Sequence, residues 1–93
     1  HTTAGIVLNE NWDPAVEHDL AMVLERMVPA GLPYTHSEGN APAHVKSVLV
    51  GSDHFILITH HQLQLGQWQG VFFAEFDGPR RRHVWLRVIA AGE

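Results

Sequence analysis

The chain has 93 residues, no cysteine and a formal net charge of −4 at pH 7, which excludes a disulfide framework and a thiolate metal site and argues against a nucleic-acid partner. One domain of this size buries only about 60–65% of the surface that its unfolded chain exposes, so a metal or self-association is expected to supplement the core. No apolar run reaches the roughly 18–20 residues that span a bilayer, and we expect a cytoplasmic protein without a membrane partner.

The first third of the chain predicts a strand and then a helix. Residues 4–8 form a short apolar, partly β-branched run that is typical of a strand. Asp13 and Pro14 are typical of a helix N-cap and a first helical residue, and Pro29 with Gly31 predicts the end of that helix. Between them, apolar residues recur at helical spacing and form a stripe on one face of the helix: Val16, Leu20, Val23, Leu24 and Met27.

A second, shorter helix is predicted for residues 41–50. Asn40 followed by Pro42 is typical of a helix start, and Gly51 is typical of a helix end. His44 lies near the edge of the buried face, where its side chain can point into a site. The residues expected to face inward are Val45, Val48 and Leu49.

The remainder of the chain predicts β structure. Four segments are rich in aromatic and β-branched side chains, or alternate polar with apolar ones, between turn signals: residues 54–59, 61–65, 68–76 and 82–90. Together the elements predict an α+β fold, an antiparallel β-sheet or sandwich with two helices on one side.

The polar stretch at residues 34–46 gathers groups that hold metals or move protons. It contains His36, Glu38, His44 and Lys46 in thirteen positions with little apolar content. Two imidazoles with a third donor are a common zinc arrangement. The same histidines could instead cap helix ends or bond to the backbone of a polar loop.

Two further polar pairs are candidates for chemistry. Asn9 and Glu10 follow the first strand, where Glu10 could act as a general acid or base or could be a solvated carboxylate. Lys46 and Ser47 could bind an anion such as phosphate with help from the helix N-terminus, unless Lys46 is an ordinary solvent-facing lysine.

The segment Gly66-Gln67-Trp68-Gln69-Gly70 lies at the mouth of a predicted strand. Its glycines allow the backbone to approach a ligand beside Trp68 and Gln69, or they form a bulge that buries Trp68 in the core. The basic run at 80–82 either solubilises an edge strand or contacts phosphate.

Six short motifs occur in one order over essentially the whole chain. They are His-Thr-Thr-Ala at 1–4, Asn-Glu-Asn-Trp-Asp-Pro at 9–14, His-Ser-Glu-Gly-Asn at 36–40, Ala-His-Val-Lys-Ser at 43–47, Gly-Gln-Trp-Gln-Gly at 66–70 and Glu-Phe-Asp-Gly-Pro-Arg at 75–80. By these motifs the sequence resembles the YjbQ-like proteins, a family associated with secondary thiamine-phosphate synthase activity.

The resemblance implies a single YjbQ-like domain over residues 1–93 that lacks the family's N-terminal strand and helix region. It also implies a homotrimer whose polar motifs form a cleft near the subunit contacts and take a small phosphorylated substrate. The implied metal ligands are His1, His36 and His44, with Asn9, Glu10 and Glu38 as catalytic partners. The expected substrate or anion contacts are Lys46, Ser47, Trp68 and Gln69. Imidazole ligands suit zinc or nickel better than magnesium.

The sequence also departs from the family pattern. The usual Gly-Thr-Trp-Gln is Gly-Gln-Trp-Gln here, which removes a threonine hydroxyl, and neither a phosphate loop nor an aspartate-rich diphosphate motif is present. Three hypotheses therefore stand. The first is an enzyme such as a thiamine-phosphate synthase, the second a non-catalytic module that binds a small anion or metal, and the third a histidine cluster that stabilises the trimer.

Overall fold

The computed structural model describes residues 1–90, which form two helices and four strands. In chain order the elements are β1 (Ala4–Glu10), α1 (Pro14–Met27), α2 (Ala41–Val50), β2 (Ile58–Thr59), β3 (Gln62–Leu63) and β4 (Gln69–Glu75). β1 pairs with β4 and β2 pairs with β3, both antiparallel. The predicted α+β class, with antiparallel pairing and two helices, is confirmed. Neither helix of this part of the chain is long and apolar enough to cross a bilayer.

The β1–β4 ladder is the frame on which the other elements are arranged. Its register runs from Ala4 opposite Glu75 to Glu10 opposite Gln69. Seven paired residues span about 20 Å at the usual rise of a strand. The two ends of the ladder are therefore separate places on the molecule.

Backbone hydrogen bonds continue the ladder beyond both ends. At one end Phe76 N donates to Thr3 O at 3.1 Å, and this end, next to His1, is called the His1 end. At the other end Asn11 N donates to Trp68 O at 2.6 Å, and this end is called the Trp68 end. The segments before β1 and after β4 are thus held side by side.

The first helix begins and ends where the sequence predicts. Asp13 is its N-cap and accepts from Ala15 N at 2.9 Å, and Pro14 is the first helical residue. At the other end Val28 N donates to Leu24 O at 2.9 Å. The apolar stripe of α1 is not covered, because no residue of α1 is buried in the described chain. The apolar face of α1 needs a covering surface that residues 1–90 do not supply.

The second helix matches its predicted range but buries a different face. The predicted inward residues are exposed: Val45, Val48 and Leu49. The buried residues are Ala43, Lys46 and Ser47. The polar members of this face have partners, because Ser47 Oγ donates to Ala4 O at 2.6 Å and the Lys46 ammonium pairs with Glu25 of α1. Apolar content alone therefore predicts the wrong face of α2.

α2 packs against β1 at Gly5. A β-carbon on Gly5 would lie 2.5 Å from Gly51 O and 2.9 Å from Val50 Cγ1. Ile6 N donates to the same Gly51 oxygen at 3.1 Å. The absence of a side chain at Gly5 is what lets the end of the helix reach the strand.

The predicted β segments are longer than the strands that form. Of residues 54–59 only Ile58–Thr59 is a strand, of 61–65 only Gln62–Leu63, and 82–90 contains none. Alternation predicts two faces, but a strand also requires a hydrogen-bonded neighbour, and in residues 1–90 the 82–90 segment has no ladder partner. Its side chains are accordingly open, and Trp85 is 97% exposed.

The turn between β2 and β3 holds two histidines in the left-handed region of backbone space. His60 and His61 have φ of 52° and 63° and join Thr59 to its ladder partner Gln62. This is the arrangement of a two-residue type I′ turn, which asparagine and glycine adopt at lower energy than other residues.

Combining His60→Asn with His61→Gly is expected to raise the free energy of unfolding by about 1 kcal/mol, because the new residues adopt positive φ with less steric cost. Urea denaturation followed by circular dichroism measures the change. His61→Val is the opposite control, since a β-branched residue tolerates positive φ poorly, and it should unfold at lower urea. Equal midpoints for the three proteins would contradict the expectation.

Candidate functional site

A cavity of about 360 Å³ lies at the His1 end of the ladder. Three segments meet there: the residues before β1, the region where α2 begins and the residues after β4. The cavity is lined by His1, Thr2, Thr3, Glu38, Asn40, His44, Arg80 and Arg82. A second cavity, of about 380 Å³, is lined by His1, Thr2, His44, Ser47, Val48, Gly51 and Ser52. His1 and His44 line both cavities, so these two predicted site residues share one region.

Arg82 joins the end of β4 to the residues before β1. Its Nε and Nη2 donate to the two carboxylate oxygens of Glu75 at 2.7 and 2.5 Å. Nη2 also donates to the Thr3 hydroxyl at 2.8 Å and to the Thr3 carbonyl oxygen at 3.2 Å. The hydrogen bonds from Arg82 lower the pKa of Glu75 from 4.5 to about 2. This fork-to-fork contact, together with the hydrogen bonds to Thr3, fixes the segment after β4 relative to the residues before β1.

The Glu75–Arg82 pair is expected to make stability depend on pH in the acid range. Because folding lowers the pKa of Glu75 to about 2, its contribution is complete above pH 4.5 and is lost as the pH falls toward 2. The Glu75 side chain is 30% exposed, so solvent screening reduces the contribution to about 1–2 kcal/mol.

Glu75→Gln should therefore lose less stability than the parent protein between pH 5 and pH 2, as urea denaturation at a series of pH values measures. Glu17→Gln, at an exposed position in the first turn of α1, is the matched control and should keep the parent pH dependence. A Glu75→Gln profile parallel to that of the parent would contradict the assignment.

Asp77 ties the loop before α2 to the segment after β4. Asn40 Nδ2 and Arg80 Nη2 both donate to Asp77 Oδ2 at 2.7 Å, and Arg80 Nε donates to the Asp77 carbonyl oxygen at 2.8 Å. The hydrogen bond from Asn40, with the charge of Arg80, lowers the pKa of Asp77. Asn40 is the N-cap residue of α2, yet its side chain makes no capping hydrogen bond. Its Oδ1 is buried without a partner in the described chain, so the amide holds Asp77 at the expense of its capping role.

The three histidines predicted to hold a metal do not form one cluster. The rings of His36 and His44 meet edge to face with centroids 4.9 Å apart. His1 stacks on His83 instead, at 6.3 Å, and its Nε2 accepts from His83 N at 2.8 Å. Across residues 1–90, no group of three or more histidine, aspartate or glutamate side chains is placed to hold a metal ion. These donors do not fit a three-histidine metal site within one chain, and metal binding stays a prediction.

Four other predicted site residues lie at the Trp68 end, about 20 Å along the ladder from the cavity. Asn9 Oδ1 accepts from Glu10 N at 2.7 Å. Gln69 Oε1 accepts from Gly66 N at 2.9 Å, which closes the turn before β4. Trp68 is 50% exposed and tilts against Trp12 at 5.2 Å, so it is not a core residue. The structure therefore separates the sequence motifs into two groups.

Lys46 and Ser47 take part in packing. Lys46 is 9% exposed and pairs with Glu25, so its charge is balanced between the two helices and it lines neither cavity. Ser47 borders the second cavity, but its hydroxyl already donates to Ala4 O. We therefore do not propose an anion contact for Lys46.

The residues that the sequence did not assign to the site are Thr3, Asn40, Glu75 and Asp77, whereas phosphate contact was one of the two interpretations of the basic run at 80–82. The sequence contains a signal for these contacts, because two acidic residues, Glu75 and Asp77, precede the three arginines at 80–82 by a few positions across a turn. Such spacing allows ion pairs within the segment, and it favours a structured contact over simple solubilisation of a strand edge.

Comparison with known proteins gives consistent matches. Residues 1–91 match the sequence profile described as UPF0047 protein YjbQ-like. The UPF0047 protein MJ1081 of Methanocaldococcus jannaschii is 53% identical over 89 residues, which cover 96% of this chain and 64% of that protein. The UPF0047 protein YugU of Bacillus subtilis is 42% identical over 90 residues, which cover 96% of this chain and 68% of that protein. The chain thus spans about two thirds of the length of these relatives.

Solved structures agree with these matches. A conserved hypothetical protein from Thermus thermophilus superimposes with a TM-score of 0.90 at 47% identity, covering 96% of this chain and 71% of that one. An uncharacterized conserved protein of the YjbQ/UPF0047 family from Clostridium acetobutylicum superimposes with a TM-score of 0.83 at 51% identity, and the match covers 86% of this chain and 62% of that one.

Proposed function

Because the chain belongs to the YjbQ-like UPF0047 family, we propose that it supplies a pocket in which a small phosphorylated substrate binds. The observation that carries the proposal is the meeting of two arginines and two histidines around one cavity: Arg80, Arg82, His1 and His44. Its volume of about 360 Å³ lies in the range of small-molecule sites.

The arginines support this proposal by the donors that they leave available. In the described chain, Arg80 and Arg82 bond through Nε and Nη2 alone. Each guanidinium has five N–H groups, so both Nη1 groups are left for a ligand. Because Glu75 and Asp77 balance the two charges and fix the side chains, these donors are oriented before a ligand arrives.

The reaction that we propose is secondary thiamine-phosphate synthesis, which the family resemblance implies. A thiazole phosphate nitrogen attacks the methylene carbon of a pyrimidine diphosphate, forming a C–N bond while the C–O bond to diphosphate breaks. Diphosphate leaves with the bonding electron pair, and the Nη1 donors would stabilise that charge. His44 and Glu38 line the same cavity and could transfer a proton to the departing group.

A non-catalytic anion-binding module is the second candidate. The ion pairs that fix Arg80 and Arg82 favour it, because side chains already held in place can bind an anion without a conformational change.

A divalent metal, zinc or nickel more readily than magnesium, remains a proposal for the His36–His44 pair and would need a further donor. Elemental analysis before and after His44→Ala tests that proposal.

We further propose that the protein assembles as a homotrimer. Large apolar side chains are open in the single chain: Phe55, Trp85 and Leu86 are 95%, 97% and 84% exposed. Assembly would cover such surfaces and bring the Trp68 end of one copy toward the His1 end of another. Light scattering should then give three times the chain mass of 10.4 kDa, and the mass of a single chain would contradict this proposal.

Isothermal titration calorimetry with inorganic diphosphate tests the binding step. Saturable binding is expected, and Arg80→Gln should weaken it about tenfold because a charge-assisted contact is lost. Arg81→Gln is the matched control, since Arg81 lines neither cavity. An absence of saturable binding would contradict the proposal.

Incubation with both thiamine precursors, followed by mass spectrometry, then separates the enzyme from the non-catalytic anion-binding module, because binding without product favours the module.

A further inference from the structure

Two contacts with His83 hold His1 at the edge of the cavity. The backbone N–H of His83 donates to His1 Nε2 at 2.8 Å, and the two imidazole rings stack. The chain beyond His1 is anchored as well. Thr3 is 5% exposed and accepts from Arg82 through both its hydroxyl and its carbonyl oxygen.

This arrangement determines which ring nitrogen of His1 carries the proton. A backbone N–H can only donate, so Nε2 must offer its lone pair, and the proton of the neutral ring lies on Nδ1. An imidazolium has no lone pair and could not accept the bond from His83. The nitrogen of His1 that remains for a ligand is therefore a hydrogen-bond donor.

Arg82 fixes both partners of the His1–His83 hydrogen bond. Its guanidinium donates hydrogen bonds to Glu75 at the end of β4 and to Thr3 before β1. His83 follows Arg82 directly in the chain, and His1 lies two residues before Thr3. The two histidines are thus brought together by one side chain that, in the described chain, hydrogen-bonds to neither ring.

We propose that His1 meets the phosphorylated ligand as an Nδ1–H donor to a phosphate oxygen, and that Arg82 is the positioning residue that maintains this tautomer. The ligand contact rests on the proposed function, whereas the tautomer does not. In this state His1 has no lone pair to give a metal ion, so its role differs from the metal ligation that the family resemblance implies.

Nitrogen NMR of protein with 15N-labelled histidine rings measures the tautomer directly, since protonated and unprotonated ring nitrogens resonate in separate regions. At about pH 8.5 a free imidazole is neutral and favours the Nε2–H form. We expect the opposite, Nδ1–H, for His1, whose signals are assigned by their loss in His1→Gln. Arg82→Gln should return His1 to Nε2–H, and Arg81→Gln should keep the parent spectrum.

An Nε2–H tautomer at His1 in the parent protein would overturn the inference, and this result needs no substitution that could disturb folding. Retention of Nδ1–H in a folded Arg82→Gln would overturn the role of Arg82. If that variant does not fold, Arg82→Lys, which keeps the charge but not the two-pronged contact, replaces it. Circular dichroism reports the folding of each variant.

Inorganic phosphate tests the ligand contact separately. Its addition should shift the Nδ1 signal of His1 and leave Nε2 nearly unchanged, and His1→Phe should weaken phosphate binding about tenfold. Phosphate binding without a shift at Nδ1 would overturn the contact. No phosphate binding at all, with Nδ1–H retained, would contradict the proposed function and the contact while leaving the tautomer assignment intact.

Discussion

Gly5→Ala is expected to lower the free energy of unfolding by about 2–3 kcal/mol. The added methyl group would meet Gly51 O at 2.5 Å, and this backbone atom cannot move aside by a change of rotamer. The end of α2 must therefore shift away from β1. That shift also weakens the hydrogen bond from Ser47 Oγ to Ala4 O, which holds the helix to the strand at 2.6 Å.

Urea denaturation measures the loss, and Gly31→Ala is the matched control. A β-carbon at Gly31 meets nothing within 4 Å, so the control should stay within about 0.5 kcal/mol of the parent protein. Gly5→Ala should also weaken diphosphate binding, because α2 carries His44 into the cavity. Parent-like stability of Gly5→Ala would mean that α2 does not pack closely on β1.

His44→Ala is expected to reduce turnover of the two thiamine precursors by about 10²-fold or more, if the proposed reaction takes place, because a general acid or base is removed. His44 lines both cavities, is half-buried and contacts the ring of His36. Diphosphate binding should fall much less, since the arginine donors remain. Mass spectrometry of the product and calorimetry of diphosphate measure the two effects.

His18→Ala is the control for removal of a histidine. His18 is exposed on α1 beside Asp19 and lines neither cavity, so turnover and binding should match the parent protein. Unchanged turnover in His44→Ala would remove His44 from the reaction. Loss of turnover in both variants would point to damage to the fold.

Local chemistry predicts the helices well, whereas packing depends on residues far apart in the chain. The side chains of Asp13 and Pro14 define the start of α1, one as the N-cap and the other as the first helical residue. The helix α2 also covers its predicted range. The buried face of α2 could not be predicted, because Lys46 and Ser47 are buried through partners that lie elsewhere. Residues 82–90 have the alternation of a strand but no ladder partner in the described chain.

The structure brings together only some of the residues that the sequence assigned to one site. His1, Glu38 and His44 were assigned to one site and do line one cavity. Glu10 and Trp68 were assigned to the same site, yet the register of β1 against β4 puts them at the opposite end of the ladder. Motif order along a chain contains no information about which end of a strand a motif will occupy.

The same register has a consequence for the kinetics of folding. β1 and β4 are separated by roughly 60 residues of chain, so pairing them costs loop entropy before any ladder hydrogen bond is gained. Helices form within about a microsecond, much faster than such closure. The cavity draws its wall from the segments before β1, around the start of α2 and after β4, which meet only when the ladder closes. The cavity is therefore assembled late in folding, and strand pairing is expected to set the rate at which the proposed binding pocket forms.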